Sequence, residues 1–260
     1  MSGQTDNEYL FRRNAVLEAL RGSRRQLFRL WLQEGAPAKQ NQALEKAAAA
    51  RRVPVQLASK QKLGQLAGDS SHQGAVLEAG PYVYSQVEEM LALASGRGEK
   101  PFLLLFDLLH GPQNIGSLLR TAEICGVHGV IMQDRRAPEI TPHVVSYAAG
   151  ASEHLLIAQV TNLVETMRRL QQQDVWVVGL DLDEQTQRLG QIDLNMPLAI
   201  VVGNEGSGLR RLVRESCDFL LELPMRGHVA SLNAAAAGAV ALYAAWQARD
   251  FEGVPLRAPR

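Results

Sequence analysis

Cysteine is scarce in this chain: Cys125 and Cys217 are the only two among 260 residues. That excludes a disulfide-stapled secreted scaffold and fits a reducing compartment, so a cytoplasmic protein is expected. Long apolar runs are also missing. No stretch approaches the ~20 residues that a membrane-spanning helix needs, and the nearest, Ala234 to Trp246, is short and alanine-rich. It predicts a tightly packed helix and no membrane partner. The opening MSGQTDNEYLFRRN lacks the apolar core of a signal peptide. Neither an internal repeat nor a low-complexity tract is present. Hydrophobic residues make up 46% of the chain, which excludes disorder as the default. The length suits two domains of unequal size.

Net charge is zero as well, which taken alone argues against a nucleic-acid partner. The average conceals a segregation. Residues 1–77 hold twelve Lys/Arg and six Asp/Glu, a net +6, and the remainder carries −6. A basic module joined to an acidic one points to a polyanion for the first, although solvated arginine faces would have the same composition.

The first third alternates short helical and strand patterns. Asn14 is placed to cap a helix through AVLEAL that Gly22 ends. QLFRLWL alternates as a strand, Pro37 to Arg52 is helical in composition, VPVQLA is strand-like, and Ser59 starts another short helix. This predicts a small α/β sandwich over residues 1–77, closed by HQGAVLEAGPYVY. Residues 78–100 then form a linker containing a helix from Tyr84 and the polar SGRGEK. Over residues 101–260 the pattern lengthens into βα units. FLLLFD, GVIM, HLLIAQV, VWVVGLD, LAIVVG and FLLELP are strand candidates separated by helices at Asn114–Cys125, Leu163–Gln173 and Gly208–Ser216. Continuous apolar strands alternating with helices predict a mostly parallel sheet covered on both faces, an α/β class. Asp181 and Asp183 are read as the end of one strand.

Three segments carry chemistry. In DLLHGPQNIGSLLRTAEICG, Asn114, Gly116 and Arg120 form N-x-G-x-x-x-R at a helix start, where free N–H groups and the helix dipole suit a phosphate. An Asn cap, a close-packing Gly and a surface Arg would have the same spacing. In LAIVVGNEGSGLRR a buried strand runs into Gly203-Asn204-Glu205-Gly206-Ser207-Gly208. The glycines allow close backbone approach to a ligand. The loop is neither a Walker A motif nor a good dinucleotide fingerprint. Glu205 would repel a pyrophosphate, unless it only complements a helix N-terminus. The third, LELPMRGHVASLNAAAAGAVALYAAW, ends a strand and starts a small-residue helix, with Ser231 at the cap position and Asn233 in the first turn. His110, His128 and His228 have no metal-ligand spacing with Cys125 or Cys217, and no metal is expected.

Taken in order, N-x-G-x-x-x-R, strand–G-N-E-G-S-G and L-P-M-x-G-x-x-x-S-L-N-A-A-A-A resemble the three motifs of the SpoU/TrmH branch of the SPOUT RNA 2'-O-ribose methyltransferases over residues 101–250. The first third, including His72-Gln73-Gly74, resembles the L30e-like substrate-binding domain that precedes the catalytic domain in the rRNA-type members. The resemblance implies a trefoil knot in the C-terminal α/β domain and S-adenosylmethionine as methyl donor. It assigns the cofactor to Gly203, Leu223, Met225 and Leu232. It assigns catalysis to Arg120, assisted by Asn114, Glu205, Ser231 and Asn233. It also implies a homodimer with the active site at its interface. The implied reaction is methylation of a ribose 2'-hydroxyl in 23S ribosomal RNA, at a guanosine. The rivals are tRNA guanosine-18 2'-O-methylation, a resistance-type rRNA methyltransferase, a non-catalytic RNA-binding protein and a nucleotide-dependent oxidoreductase. Two departures from the pattern stand out. Arg12 occupies the place of a glycine in Leu10-Phe11-Arg12-Arg13-Asn14, and Ala234-Ala235 replaces the usual Val-Ser.

Overall fold

A computed structural model describes residues 7–134, 139–182, 186–228 and 231–254. In chain order it contains β1 (Glu8–Phe11), α1 (Arg13–Arg21), β2 (Leu27–Gln33), α2 (Ala38–Ala50), β3 (Val55–Ala58), α3 (Lys60–Ala67), β4 (Ala75–Ala79) and α4 (Val87–Arg97). There follow β5 (Phe102–Phe106), α5 (Pro112–Ile124), β6 (Gly129–Gln133), α6 (Pro142–Tyr147), a 3-10 turn at Ala151–Glu153, β7 (Ile157–Val160) and α7 (Leu163–Gln171). The chain continues through β8 (Trp176–Leu180), β9 (Gln187–Arg188), β10 (Leu198–Val202), α8 (Arg211–Glu215), β11 (Phe219–Glu222) and α9 (Ala234–Ala248). Asp183 lies outside the described residues; Asp181 directly follows β8. No helix of the described residues is long and apolar enough to cross a membrane.

Grouped by contacts, the chain forms two compact units, each discontinuous in sequence. The first holds residues 7–84, 111–120 and 139–155. Its sheet has the order β1-β4-β2-β3, antiparallel except for the β2–β3 pair. Leu10, Leu30, Leu32 and Leu77 are fully buried, each contributing roughly 1.5–3 kcal/mol of transfer free energy. Helix α1 covers them with Ala15, Val16, Ala19 and Leu20, the i, i+1, i+4, i+5 stripe of an amphipathic helix. It begins earlier than its sequence suggests: Arg12 is the cap residue and Asn14 lies in the first turn. Gly22 ends it as expected, and the Ser59 hydroxyl caps α3 by accepting from Lys62 N.

A buried cation ties the later segment into this unit. Arg25 donates through Nε to Glu153 (3.1 Å), through Nη2 to the Ile140 carbonyl (3.2 Å) and through Nη1 to Gly80 O (3.1 Å), and Nη1 also pairs with Glu8. Tyr82 Oη donates to the carbonyls of Ser152 and Leu155.

The second unit holds residues 85–110, 121–134, 156–182, 186–228 and 231–254. Its seven strands are parallel in the order β7-β6-β5-β10-β8-β11-β9. Central β5 and β10 are buried at every position, which is why both read as unbroken apolar runs. One face packs Leu103, Leu105, Val177 and Val201 against Met167 and Leu170 of α7 and Val213 of α8. Helix α9 packs on β10 with Gly238, Ala241, Leu242 and Ala245 buried, and the glycine and alanines let the helix come close. Strand β8 lies between β10 and β11, so the connection from β10 to β11 passes over β8. In parallel sheets ligands bind beyond the carboxyl ends of the strands, where the strand order reverses.

Candidate functional site

At the end of β10 the chain turns sharply at Gly203. A Cβ there would lie 2.4 Å from the Gly208 carbonyl oxygen and 2.8 Å from Leu209 N, so only glycine fits. Asn204 and Gly208 exchange two backbone hydrogen bonds, of 3.1 and 2.9 Å, closing the loop on itself. The Asn204 side chain locks it further, with Oδ1 accepting from Gly206 N (2.9 Å) and Nδ2 donating to Leu108 O (3.2 Å). Glu205 stands exposed on this rigid turn. Behind the loop, the buried Asp107 carboxylate accepts from Arg210 N (2.7 Å) and Nε (2.6 Å), and Arg210 Nη2 reaches Gln133 (3.0 Å). The helix following the loop therefore stays docked to the ends of β5 and β6.

A second wall comes from Leu223 and Met225 after β11 and from Ser231 and Leu232 before α9. Asn233, not Ser231, caps α9: its Oδ1 accepts from Ala235 N (2.9 Å) and Ala236 N (3.2 Å). Ser231 was the sequence candidate because Ser and Asn are both strong caps and the start of a helix is legible only to within a residue or two. The third wall, Leu180 to Leu182, was not expected from sequence as part of a site. Asp181 is set by accepting from Leu182 N (2.8 Å) and Arg214 Nε (2.8 Å). Its place immediately after a parallel strand was the available signal.

The three walls enclose about 280 Å³. Gly203, Leu223, Met225 and Leu232, the four expected cofactor residues, all line it, together with Glu205 and Ser231. Among the described residues its charged lining groups are the carboxylates Asp181, which is paired with Arg214, and Glu205, with no Lys, Arg or His. That chemistry repels a phosphate or pyrophosphate and suits a ligand carrying positive charge on a partly apolar body. S-adenosylmethionine, with its sulfonium and ammonium groups, fits; a nicotinamide dinucleotide does not.

The first motif belongs to the other unit. Asn114 is the third residue of α5, half-buried, rather than its cap. Gly116 packs where a Cβ would meet Tyr147 Cβ at 2.5 Å and Ala148 N at 2.8 Å, so it permits the close approach of α6. Arg120 is exposed. His128 bridges Glu99 (2.8 Å) and accepts from Phe102 N through Nδ1, and burial lowers its pKa. Among the described residues no His, Cys, Asp or Glu group could hold a metal ion.

Gly203→Ala tests the loop. The new methyl collides with backbone that the Asn204–Gly208 bonds hold in place, so the loop must open. Affinity for S-adenosylmethionine should fall at least about tenfold, measured by titration calorimetry. Wild-type affinity would show that the loop is not part of the binding site.

Comparison with known proteins places these features. The SpoU rRNA Methylase family model matches residues 101–243, and a model for RNA 2'-O ribose methyltransferase substrate binding matches residues 9–85. The chain is 39% identical to the putative TrmH family tRNA/rRNA methyltransferase YacO of Bacillus subtilis, covering 97% of this chain and 100% of that one. It is 36% identical to a putative TrmH family tRNA/rRNA methyltransferase of Staphylococcus saprophyticus, over 93% of this chain and 96% of the relative. Among solved structures it resembles the SpoU methyltransferase AviRb of Streptomyces viridochromogenes in complex with AdoMet, with TM-score 0.77 and 21% identity over 94% and 91% of the two chains. It also resembles an AdoMet-bound rRNA methyltransferase of Sinorhizobium meliloti, with TM-score 0.74 and 22% identity over 94% and 88%. At such identities these structures establish a shared fold.

Proposed function

Because the chain belongs to the SpoU rRNA methylase family, we propose that it methylates the ribose 2'-hydroxyl of a guanosine in 23S ribosomal RNA, using S-adenosylmethionine. The observation that carries the reading is the cavity beyond β8, β10 and β11, which has no cationic lining among the described residues and is lined by all four residues that the motif resemblance assigns to the cofactor. The net charge of +6 over residues 1–77, most of which the substrate-binding model matches, supports an RNA polyanion as the substrate. We assign RNA recognition to residues 1–77 and methyl transfer to residues 101–260, joined by 78–100. The position of β8 between β10 and β11 supports the knotted threading that the resemblance implies.

S-adenosylmethionine supplies an electrophilic methyl group on a sulfonium, so the reaction needs alignment, charge stabilisation and removal of one proton. Gly203, Leu223, Met225 and Leu232 would hold the donor by backbone and apolar contact, and the Glu205 carboxylate would favour its positive charge. Asn233 acts as a positioning residue, since its Oδ1 fixes the start of α9 and with it Ser231 and Leu232. Arg120 and Asn114 are assigned to the RNA. A guanidinium holds its proton tightly and offers a planar fork to phosphate, so Arg120 binds the neighbouring phosphate and stabilises developing negative charge on the 2'-oxygen rather than acting as base, and the hydroxyl proton passes to water.

Helix α9 leaves the large apolar side chains of Val240 (44%) and Tyr243 (48%) exposed, and Met225 and Leu232, which precede it, are exposed as well. This supports pairing with a second copy, and light scattering should give twice the monomer mass. We place the enzyme in the cytoplasm.

Transfer of labelled methyl to unmethylated total RNA, followed by nuclease mapping, tests the whole reading. A 2'-O-methylguanosine in 23S rRNA is expected. Label on tRNA would overturn the substrate, and no label on any RNA, precursor ribosomal particles included, would overturn the activity.

A further inference from the structure

The four-stranded unit carries a second cavity, a cleft of about 620 Å³ beside the start of α1. Its walls include Arg12, Arg13, Lys60, Ser71, His72 and Gln73, with no carboxylate among the lining residues. Neither Arg13 nor Lys60 forms an ion pair among the described residues. Arg13 is anchored on α2 through Nη2, which donates to Gln40 O and to Asn41 Oδ1 (3.1 Å), while its Nη1 is buried without a partner. A guanidinium that faces no counter-charge keeps this wall of the cleft positive, which favours an anion in it. His72 is not that counterpart. Burial lowers its pKa, and its Nδ1 accepts from Gly74 N (3.0 Å), so it shapes the turn as a neutral ring.

Arg12 supplies an independent observation. Its backbone sits at φ 70, ψ 135, a region that glycine enters freely and a side chain enters only with strain. It makes no side-chain bond to cap α1. Its guanidinium instead donates from Nε (3.3 Å) and Nη2 (3.2 Å) to Ser71 Oγ and stacks over the Tyr147 ring at 5.1 Å. The Ser71 backbone N–H donates to Asp69, which does not line the cleft. A glycine would relieve the backbone without costing a cap, because the Arg13 N–H at the start of α1 donates to Gln73 Oε1 (3.2 Å) rather than to the residue 12 side chain. What arginine adds at this position is a third, oriented cation on the cleft wall.

We propose that Arg12, Arg13 and Lys60 form a phosphate-binding subsite for the backbone of the RNA substrate, and that arginine at residue 12 serves this contact against its backbone preference. The proposal rests on the RNA-methyltransferase reading above. Phosphate contacts fix the register of a nucleic acid without reading its sequence, so the subsite orients the RNA and leaves base choice to other contacts.

The test uses the full-length protein and a labelled, unmethylated 23S rRNA transcript, with Kd measured across a series of salt concentrations. Arg12→Gly should bind about tenfold more weakly, and its log Kd against log salt slope should be shallower by about 0.7–0.9. It should melt at or above the wild-type temperature, because strain is released. Lys60→Gln leaves the α1 backbone untouched and should show the same weakened binding. Both variants should bind S-adenosylmethionine as the wild type does. If both keep wild-type Kd and salt slope, the subsite is wrong while the enzyme reading stands. If Arg12→Gly melts lower and Lys60→Gln binds normally, Arg12 is structural and the proposal fails. A wild-type protein that binds no RNA would instead overturn the reading on which the proposal rests.

Discussion

Arg120→Ala should lower the turnover of methyl transfer about 10²–10³-fold, the cost of removing one oriented donor from a developing oxyanion. Affinity for S-adenosylmethionine should not change, since Arg120 does not line the cofactor cavity. Stability should change by no more than about 0.5 kcal/mol, because the side chain is exposed and lies in no ion pair among the described residues. A large loss of activity would therefore be chemical rather than structural. Arg120→Lys separates charge from geometry. Lysine keeps the positive charge but loses the two-pronged fork, so it should recover only part of the lost rate. Near-normal turnover in Arg120→Lys would show that a point charge suffices. Single-turnover rates at saturating cofactor, with melting temperatures for each variant, decide between these outcomes.

The second large effect concerns the fold. Arg25→Met should cost about 3–5 kcal/mol of stability, the range seen when one partner of a buried ion pair is removed. Arg25 has no exposed side-chain surface, Glu153 has 1%, and Glu8, on the other side of the guanidinium, has 25%. Removing the cation leaves the buried Glu153 carboxylate, the half-buried Glu8 carboxylate and two carbonyls without their donor. The pH dependence identifies the cause. Burial raises the carboxyl pKa of Glu153, outweighing the attraction of Arg25, and burial raises that of Glu8 in the same way. A folded-state pKa above the unfolded one means that the folded state binds the proton more tightly. Stability then falls as pH rises between the two values. Without Arg25 the lowering influence is gone, so both carboxyls move further up and the window extends toward neutrality. The deficit of Arg25→Met should be largest near pH 8 and shrink on acidification toward about pH 5. Adding Glu153→Gln should recover part of it, because a neutral amide needs no counter-charge. Urea unfolding of each variant at the two pH values measures this, and a deficit independent of pH would exclude stranded carboxylates as its origin.

Much of the second unit is legible in the sequence. FLLLF and LAIVV become β5 and β10 because a strand buried on both faces must be apolar throughout, which leaves an unbroken run. The Gly203–Gly208 loop is legible for a related reason: a backbone that approaches itself within van der Waals distance admits only glycine. The short elements are not. The four residues of β1 and the two of β9 carry too little periodicity to stand out, and α6 is a six-residue helix. The two cap positions slipped by a few residues, Arg12 for Asn14 and Asn233 for Ser231, because a cap depends on local dihedrals that several neighbouring polar residues could equally satisfy.

The α/β class, the order of most strands and helices, and the glycine-rich turn after β10 were therefore legible in the residues themselves. Those properties are written locally, in burial patterns and in residues with restricted conformations. Only the tertiary structure decided that residues 139–155 join the N-terminal sheet through Arg25 and Glu153, which lie 128 positions apart. The same holds for Asp181, which joins the cavity wall, and for Arg12, whose backbone takes a glycine-like conformation. A lone charge in a sequence does not name its partner, and a strained dihedral leaves no trace in composition. Both are set by which distant segments the sheets bring together.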